Sequence, residues 1–458
     1  MAATISRIIH LLNQVVWGFP ALVLILGVGL MYTFCTKYLQ TRYLGRSLKA
    51  VGQSLRRPAD SGVSPFQAVC TALAATVGTG NIAGVAGAIA LGGPGAVFWM
   101  WISAFLGMIL KYAEVVLAVR FRQPAGDGSY LGGPMYYIRS GLNPRFRFLA
   151  VMYSLFGVIA AFGVGNATQV STAIVSINEA LPFFGLETST LGNWLFGLIL
   201  GLLVALVVLG GAKRIGSVAE YLIPVVCLGY IALSIGALIH NYAAIPQAIS
   251  AIFTGAFSPR ACTGGIIGSA FVALRVGVSR GIFTNEAGMG TASIAHANAN
   301  VRHPAQQGLF GFFEVFADTI VICTMTALVI LTAPISIPYG TTAGAELTVS
   351  AFLTVYGPWV CVFMAAAMVL LAFATILGWG LYGMRCAEFL FGAKASRRFT
   401  LLHAVTTVLG AVVSPGLIWA LAEGVNGLMA IPNLVALWAL SPEVLRLTAD
   451  YFPTKKKS

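Results

Sequence analysis

Two long apolar stretches of this 458-residue sequence are each interrupted by glycines next to an asparagine. The first interruption lies at Gly78–Asn81, and the second runs from Gly277 to Gly288 and contains Asn285. Glycine weakens a helix, and an unwound helix leaves backbone amides and carbonyls in need of partners. Free amides at a helix N-terminus favour a carboxylate, and free carbonyls favour a cation. Together the two interruptions indicate a site for an amino acid zwitterion and a co-bound Na⁺.

Acidic residues inside apolar stretches are a second source of chemistry, since ionisable groups in a membrane are functional candidates by default. They are Glu114, Glu220, Glu314, Asp318, Glu388 and Glu423. Glu314 and Asp318 lie four residues apart on one helical face, which leaves a proton relay open. Pairing of these two acids with Arg275 or Arg280 is the structural alternative.

Other reactive residue types give weaker signals. Lys111 and Glu114 lie one helical turn apart and can simply pair with each other. The seven cysteines are scattered, and the five histidines have no spacing that indicates a metal site. No Ser/His or His/Glu constellation lies at one membrane depth, so an enzyme is not expected and no cofactor is indicated.

The composition shows what kind of molecule must position these residues. Hydrophobic residues make up 58% of the chain and charged residues only 9%, whereas a typical soluble domain carries about 25% charged residues. A soluble enzyme, a secreted disulfide scaffold and a disordered protein are therefore excluded. The net charge of +13 is explained by basic residues that anchor cytoplasmic loops, so it does not indicate nucleic-acid binding.

Eleven apolar segments are long enough to cross a hydrocarbon core, which takes about 20 residues per helix. They lie at about 16–36, 65–91, 95–119, 148–178, 191–211, 217–240, 263–283, 308–332, 357–384, 399–413 and 415–440. If the N-terminus is outside, all of the 27 Lys and Arg residues except Arg7, Lys111, Arg260 and Arg275 lie on the cytoplasmic side. This asymmetry predicts an all-α, multi-pass membrane protein with its N-terminus outside and its C-terminus in the cytoplasm.

The two interrupted segments lie five spans apart and cross the membrane in opposite directions. An inverted repeat with two discontinuous helices that meet at a central site has this pattern. The alternative is that the glycines only allow close helix packing. One interrupted segment alone favours packing, whereas two in symmetric positions, each with an asparagine, favour the central site.

With these residues in view, the chain resembles the alanine or glycine:cation symporter family. The longest matching motif is Gly92–Gly107, read GGPGAVFWMWISAFLG. Further motifs that resemble the family are at Thr76–Gly84, Gly165–Gln169, Phe283–Gly290 and Phe373–Trp379, and the resemblance covers residues 66–392.

The resemblance implies the leucine-transporter-type fold, with one extra N-terminal helix before a five-plus-five inverted repeat. The expected units are 1–64 (first helix and loop), 65–240 and 241–440 (the two repeats), and 441–458 (a basic cytoplasmic tail). It also implies Na⁺-coupled uptake of small neutral amino acids such as alanine and glycine, with Na⁺ as the coupling ion.

The first interruption supplies most of the expected substrate site. We expect the substrate carboxylate to lie against backbone amides in the stretch Thr76, Val77, Gly78, Thr79, Gly80 and Asn81. Asn81 and Gln169 are neutral groups that could orient a zwitterion, and helix–helix hydrogen bonding is their alternative role. The resemblance places Thr375 and Trp379 at the site, four residues apart on one helical face.

The pocket wall and the cation site complete the expectation. Trp379 and one phenylalanine would wall a pocket that admits alanine and excludes leucine; Phe271 and Phe283 compete for this position, and Phe283 is favoured. By analogy with the cation site that the fold shares, the carbonyls of Ala75 and Gly78 and the Thr375 hydroxyl would bind Na⁺.

Two other functions remain open at this stage. The first is H⁺-coupled amino acid symport by the same fold, and the second is an ion channel, which is weakened by the lack of a repeated ring motif. The short loops are typical of a protein of the bacterial inner membrane.

Overall fold

The computed structural model describes residues 19–55, 62–125, 128–257, 270–413 and 415–452. The predicted segments 16–36 and 263–283 begin outside the described residues, and Arg7, Arg260 and the lysines of the basic tail also lie outside them. The side chain of Glu423 is likewise not described.

The described chain is almost entirely helical, as the composition predicts. Its α-helices are α1 Phe19–Cys35, α2 Leu39–Ser54, α3 Pro65–Thr76, α4 Val85–Gly92, α5 Gly95–Arg120, α6 Pro134–Gly141, α7 Arg147–Phe162, α8 Thr168–Ala180, α9 Thr190–Val208, α10 Gly211–His240, α11 Ile245–Phe257, α12 Ala270–Asn285, α13 Thr291–His296, α14 Pro304–Val315, α15 Thr324–Thr332, α16 Ala345–Tyr356, α17 Trp359–Phe391, α18 Ala393–Gly410, α19 Pro415–Ala439 and α20 Ser441–Tyr451. Three π-helical segments, Gly80–Gly84, Gly163–Ala167 and Phe316–Cys323, connect consecutive α-helices. Short 3₁₀ turns lie at Pro144–Phe146, Leu181–Phe184 and Tyr242–Ala244, and the strands β1 Gln123–Pro124 and β2 Tyr130–Leu131 form one antiparallel pair.

Six helical runs within the described residues are long and apolar enough to cross a membrane. They are Gly95–Arg120, Pro144–Phe184, Thr190–Val208, Gly211–His240, Pro304–Thr332 and Trp359–Phe391. Three further helix pairs, bent by 82°, 52° and 62°, raise the number to nine if each pair is one span. The fold class is thus that of a multi-pass α-helical membrane protein, while the count of eleven spans and the boundaries of the two repeats stay predictions.

The local sequence explains where the first broken helix begins. Ser64 accepts a hydrogen bond from the backbone amide of Gln67, and the Gln67 side chain accepts one from the backbone amide of Ser64. This capping box, with Pro65 in the first helical position, fixes the start of α3. The helix ends twelve residues later, at Thr76, where the glycines begin.

The second broken helix interrupts at a different place from the prediction. Helix α12 continues through Gly277 and Gly281 to Asn285, and the break lies at residues 286–290. A Cβ atom at Gly277 would lie 2.3 Å from the backbone oxygen of Ala96, and one at Gly281 would lie 2.2 Å from the hydroxyl of Ser103. These two glycines therefore allow α12 to pack closely on α5, so the packing alternative is right for them.

Helices α5 and α17 form the interior of the bundle and position the site. α12 and α14 pack against α5, while α7, α8, α18 and α3 pack against α17. Most side chains of α17 between residues 371 and 387 are buried. As a result, both helix breaks and the middle of α17 meet inside the protein.

Candidate functional site

The first helix break is shaped by its own asparagine. Val77 is extended, with φ −78° and ψ 96°, and the chain resumes as the π-helical segment Gly80–Gly84. The backbone amide of Gly78 donates a hydrogen bond to Oδ1 of Asn81, at 3.0 Å. Nδ2 of Asn81 donates in turn to Oδ1 of Asp318, at 2.7 Å. Asn81 thus uses its oxygen and its nitrogen within the protein, and the Gly78 amide already has a partner.

The sequence offers Asp318 two roles, a proton relay with Glu314 or pairing with Arg275 or Arg280. In the structure it lies in the π-helical segment Phe316–Cys323 and bonds both Asn81 and Thr319; the Thr319 hydroxyl donates to its Oδ2 at 2.7 Å. Its link to the first break spans 237 residues of sequence. No spacing pattern along the chain could have revealed this contact.

Thr375 faces the first break from α17. A Cβ atom built on Gly78 would lie 2.6 Å from Oγ1 of Thr375, so glycine is needed for the two helices to approach. The Thr375 hydroxyl is buried, and it has no hydrogen-bond partner within the described part of the chain. Ala75 packs against α17 as well, since a Cβ atom built on Gly378 would lie 2.7 Å from the Cβ atom of Ala75. The structure therefore brings together Ala75, Gly78 and Thr375.

A buried hydroxyl oxygen without a partner is costly unless something binds it. Hydroxyl and carbonyl oxygens are hard ligands that suit an alkali cation better than thiolates or imidazoles do. The hydroxyl of neighbouring Thr79, by contrast, has a partner, since it donates to Oε1 of Gln169 at 3.1 Å. The chemistry beside Gly78 thus fits the predicted cation site.

Gln169 and Trp379 lie on adjoining helices beside the break. Gln169 is 5% exposed, and its Nε2 donates to the backbone oxygen of Val164 at 3.0 Å. The Trp379 side chain is fully buried, and a Cβ atom on Gly165 would lie 2.2 Å from its Cβ. Gly165 thus provides the space that the large indole needs.

The two candidate phenylalanines are placed differently. A Cβ atom on Gly80 would lie 3.8 Å from the ring of Phe283, so this ring reaches the first break. Phe271 lies twelve residues earlier on α12, about 18 Å along the helix axis, and is 59% exposed. The structure brings Phe283, and not Phe271, to the other candidate residues.

The second break contains a residue that the sequence did not single out for the site. Glu286 is buried and has φ 54°, a backbone conformation that glycine prefers. Its Oε1 accepts a hydrogen bond from the Trp379 indole at 3.1 Å, and its Oε2 accepts one from the Thr291 hydroxyl at 2.5 Å. The second break is therefore bonded directly to a predicted wall of the pocket.

Buried ion pairs hold the surrounding helices, with partners other than those expected. Lys111 pairs with Glu314 at 3.2 Å and not with Glu114, and Glu314 also bonds His296 at 3.0 Å. Neither Arg275 nor Arg280 is the partner seen for Glu314. The partners come from α5, α13 and α14, so helical spacing within one element could not identify them.

Glu114 instead secures the second break. Its Oε1 accepts hydrogen bonds from the backbone amides of Gly288, at 2.8 Å, and Gly290, at 3.0 Å. Asn433 of α19 donates to the same oxygen and to the backbone oxygen of Gly288, both at 2.8 Å. Tyr137 of α6 donates to the Asn433 side chain. Residues of three helices, α5, α6 and α19, thus hold this short unwound stretch.

The three π-helical segments lie where the site residues are found. Gly80–Gly84 contains Asn81, Gly163–Ala167 ends two residues before Gln169, and Phe316–Cys323 contains Asp318. π-Helical turns are rare and frequently occur at functional sites. The Gly-Asn pairs of the first two segments signal them, but the third segment, FADTIVIC, carries no such signal.

Comparison with known proteins agrees with this architecture. The family model described as "Sodium:alanine symporter family" matches residues 2–458. The chain is 39% identical to "Sodium/alanine symporter AgcS" of Methanococcus maripaludis, over 98% of both chains. It is 36% identical to "Probable sodium/glutamine symporter GlnT" of Bacillus subtilis, over the whole of this chain and 92% of the relative.

The fold is also similar to that of a solved transporter. The crystal structure of MhsT in complex with L-phenylalanine superposes with a TM-score of 0.56, covers 85% of this chain and 99% of that chain, and has 15% sequence identity. MhsT has the leucine-transporter-type fold, so this likeness confirms the expected fold. The chain belongs to the sodium:alanine symporter family and is a transporter, a cation-coupled amino acid symporter, rather than an enzyme.

Proposed function

We propose that this protein couples the inward movement of Na⁺ to the uptake of a small neutral amino acid, alanine or glycine, across the inner membrane by alternating access. The observation that carries this proposal is the buried Thr375 hydroxyl, which faces Gly78 without a hydrogen-bond partner among the described residues. The N-terminus lies outside and the C-terminus in the cytoplasm, as the distribution of basic residues indicates.

The ion acts as a link between two helices. Carbonyl oxygens of Ala75 and Gly78 belong to the broken helix, and the Thr375 hydroxyl belongs to α17. Na⁺ bound by all three joins the first break to α17, and loss of the ion frees α17 to separate from it. Rigid-body rocking of one helix bundle against another around a fixed midplane site then exposes the site to each side in turn.

Substrate size follows from the residues around the break. The Phe283 ring reaches the first break at Gly80, Trp379 lies four residues beyond Thr375 on α17, and Gln169 contacts the break through the Thr79 hydroxyl. In such a pocket one additional methylene group changes selectivity by about 1–3 kcal/mol. A small side chain is therefore favoured over a larger one such as that of glutamine.

Proton coupling is the second candidate, because two buried carboxylates lie at the breaks. Asp318 bonds Asn81 at the first break, and Glu286 lies within the second. A carboxylate that gains and loses a proton could replace Na⁺ as the coupling device. The two candidates predict different ion requirements at a fixed pH.

The test is uptake of radiolabelled alanine into proteoliposomes, with an imposed gradient of Na⁺ or of choline at the same pH. We expect alanine to accumulate above its equilibrium concentration with the Na⁺ gradient and not with the choline gradient. Thr375→Val removes the hydroxyl at constant shape and should raise the half-saturating Na⁺ concentration at least tenfold. Thr406→Val, on the exposed face of α18, is the matched control and should behave as the wild type does. Equal accumulation of alanine when choline replaces Na⁺ would reject Na⁺ coupling.

A further inference from the structure

Glu286 has a side chain where the backbone favours glycine. Among the described residues, three that are not glycine have positive φ, namely Lys37, Tyr38 and Glu286, and only Glu286 is buried. Its neighbours Gly288 and Gly290 adopt similar conformations, with φ 89° and 78°. A strained residue at an internal site persists only if its surroundings hold it, and such strain is often related to function.

The contacts of the carboxylate suggest what it does. Oε1 of Glu286 accepts a hydrogen bond from the indole N–H of Trp379, and Oε2 accepts a hydrogen bond from the hydroxyl of Thr291. A hydrogen bond requires both a short distance and a nearly linear donor geometry, so it fixes direction as well as distance. Glu286 therefore holds the indole in one orientation relative to the second break.

The opposite side of the indole is equally confined. Gly165 approaches it so closely that a Cβ atom there would lie 2.2 to 2.7 Å from three Trp379 side-chain atoms. Gly165 leaves the ring room, and among the described residues the bond to Glu286 is what ties its polar edge to the second break. Without that bond the ring could tilt about its side-chain torsions and change the shape of the pocket.

We propose that Glu286 is a specificity-determining positioning residue: it orients the Trp379 ring, and through that ring it sets the upper size limit of the transported amino acid. This inference rests on the proposed function in taking Trp379 as a pocket wall. The carboxylate itself contacts the indole and Thr291 rather than the first break. Its effect on the substrate therefore passes through the ring.

Glu286→Gly is the most informative variant, because glycine relieves the backbone strain while removing the side chain. We expect it to reach the membrane as the wild type does, and to change the ratio of alanine uptake to that of a larger neutral amino acid, leucine, by about tenfold. Trp379→Phe keeps a ring but lacks the N–H group, and it should shift the ratio in the same direction.

Three further variants separate positioning from a merely structural role. Glu286→Gln retains an oxygen acceptor for the indole and should restore most of the selectivity. Thr291→Ala removes the other bond of Glu286 but leaves the indole bond in place, so its selectivity should match that of the wild type. The double variant E286G/W379F should change the ratio no more than either single variant, since both remove one interaction.

A spectroscopic measurement keeps the inference separate from the identity of the substrate. In protein labelled with 5-fluorotryptophan, the ¹⁹F resonance missing from Trp379→Phe belongs to Trp379. We expect this resonance to shift in Glu286→Gly and to stay in place in Thr291→Ala. If it shifts while the wild type carries no alanine, the proposed function is wrong and the positioning role stands.

Two results would overturn the positioning role. One is an unchanged ¹⁹F resonance in Glu286→Gly. The other is a set of selectivity changes that add up in the double variant, which would show that the two residues act independently.

Discussion

Gly78 is the position where a single methyl group would disturb the proposed cation site most directly. A Cβ atom there would lie 2.6 Å from Oγ1 of Thr375 and 3.6 Å from Oε1 of Gln169. Gly78 does not have a positive φ, so alanine is compatible with its backbone and the conflict is purely steric. To reach an ordinary contact of 3.4 Å, the methyl group and the hydroxyl must separate by about 0.8 Å.

The cost of this separation falls on ion binding. In the ion-free protein the Thr375 hydroxyl can rotate away from an alanine at residue 78, but Na⁺ coordination requires it to return. Overpacking of this kind costs about 1–3 kcal/mol. Since about 1.4 kcal/mol corresponds to a factor of ten, we expect Gly78→Ala to raise the half-saturating Na⁺ concentration by about 5-fold to about 150-fold.

The assay is the Na⁺ dependence of alanine uptake into proteoliposomes, with the thermal stability of the purified variant measured in parallel. Gly84→Ala is the matched control, because its methyl group would meet only a Thr284 carbon at 3.9 Å in the same broken segment. A Gly78→Ala transporter with the wild-type Na⁺ dependence would refute the placement of the ion between Gly78 and Thr375.

Two more predictions concern the charges that hold the bundle. Lys111→Met leaves Glu314 without its buried ammonium partner, so we expect a loss of about 3–5 kcal/mol in the free energy of unfolding and a lower melting temperature in detergent; adding Glu314→Gln should restore most of it. Hydrogen bonds from Arg446 and Arg120 lower the pKa of Glu443 to about 2. Because this pKa is lowered, the stabilisation by Glu443 is present at neutral pH and is lost as the pH falls from about 4.5 to about 2. The difference in melting temperature between the wild type and Glu443→Gln should therefore disappear over this range, and a difference that persists at pH 2 would contradict the assignment.

Features that depend on neighbours along the chain could be predicted from the sequence. The apolar segment at 95–119 coincides with helix Gly95–Arg120, and the one at 415–440 coincides with helix Pro415–Ala439. The first break was also located correctly, because Gly78–Asn81 combines two glycines with polar residues that cannot serve lipid packing. Hydropathy and helix propensity act locally, so they are visible in one sequence.

Features that depend on distant partners could not be predicted. Gly277 looks like a helix breaker until the backbone of Ala96 is seen beside it, which shows that it permits packing. Lys111 has a carboxylate one turn away in Glu114, yet it pairs with Glu314, two hundred residues later. Tertiary structure decides between such alternatives, because each is equally compatible with helical spacing.

The two helix breaks differ in how completely the protein satisfies their polar groups. This difference bears on where ion binding is coupled to conformational change. The second break is tied by Glu114 and Asn433, whose bonds reach backbone atoms of Gly288 and Gly290. These partners are contributed by the protein itself. At the first break, by contrast, the Thr375 hydroxyl still lacks a hydrogen-bond partner among the described residues. An ion can change the stability of one conformation over another only where it adds contacts that are otherwise missing. We therefore expect the first break and α17 to move with ion binding, and the second break to stay with the helices that clamp it.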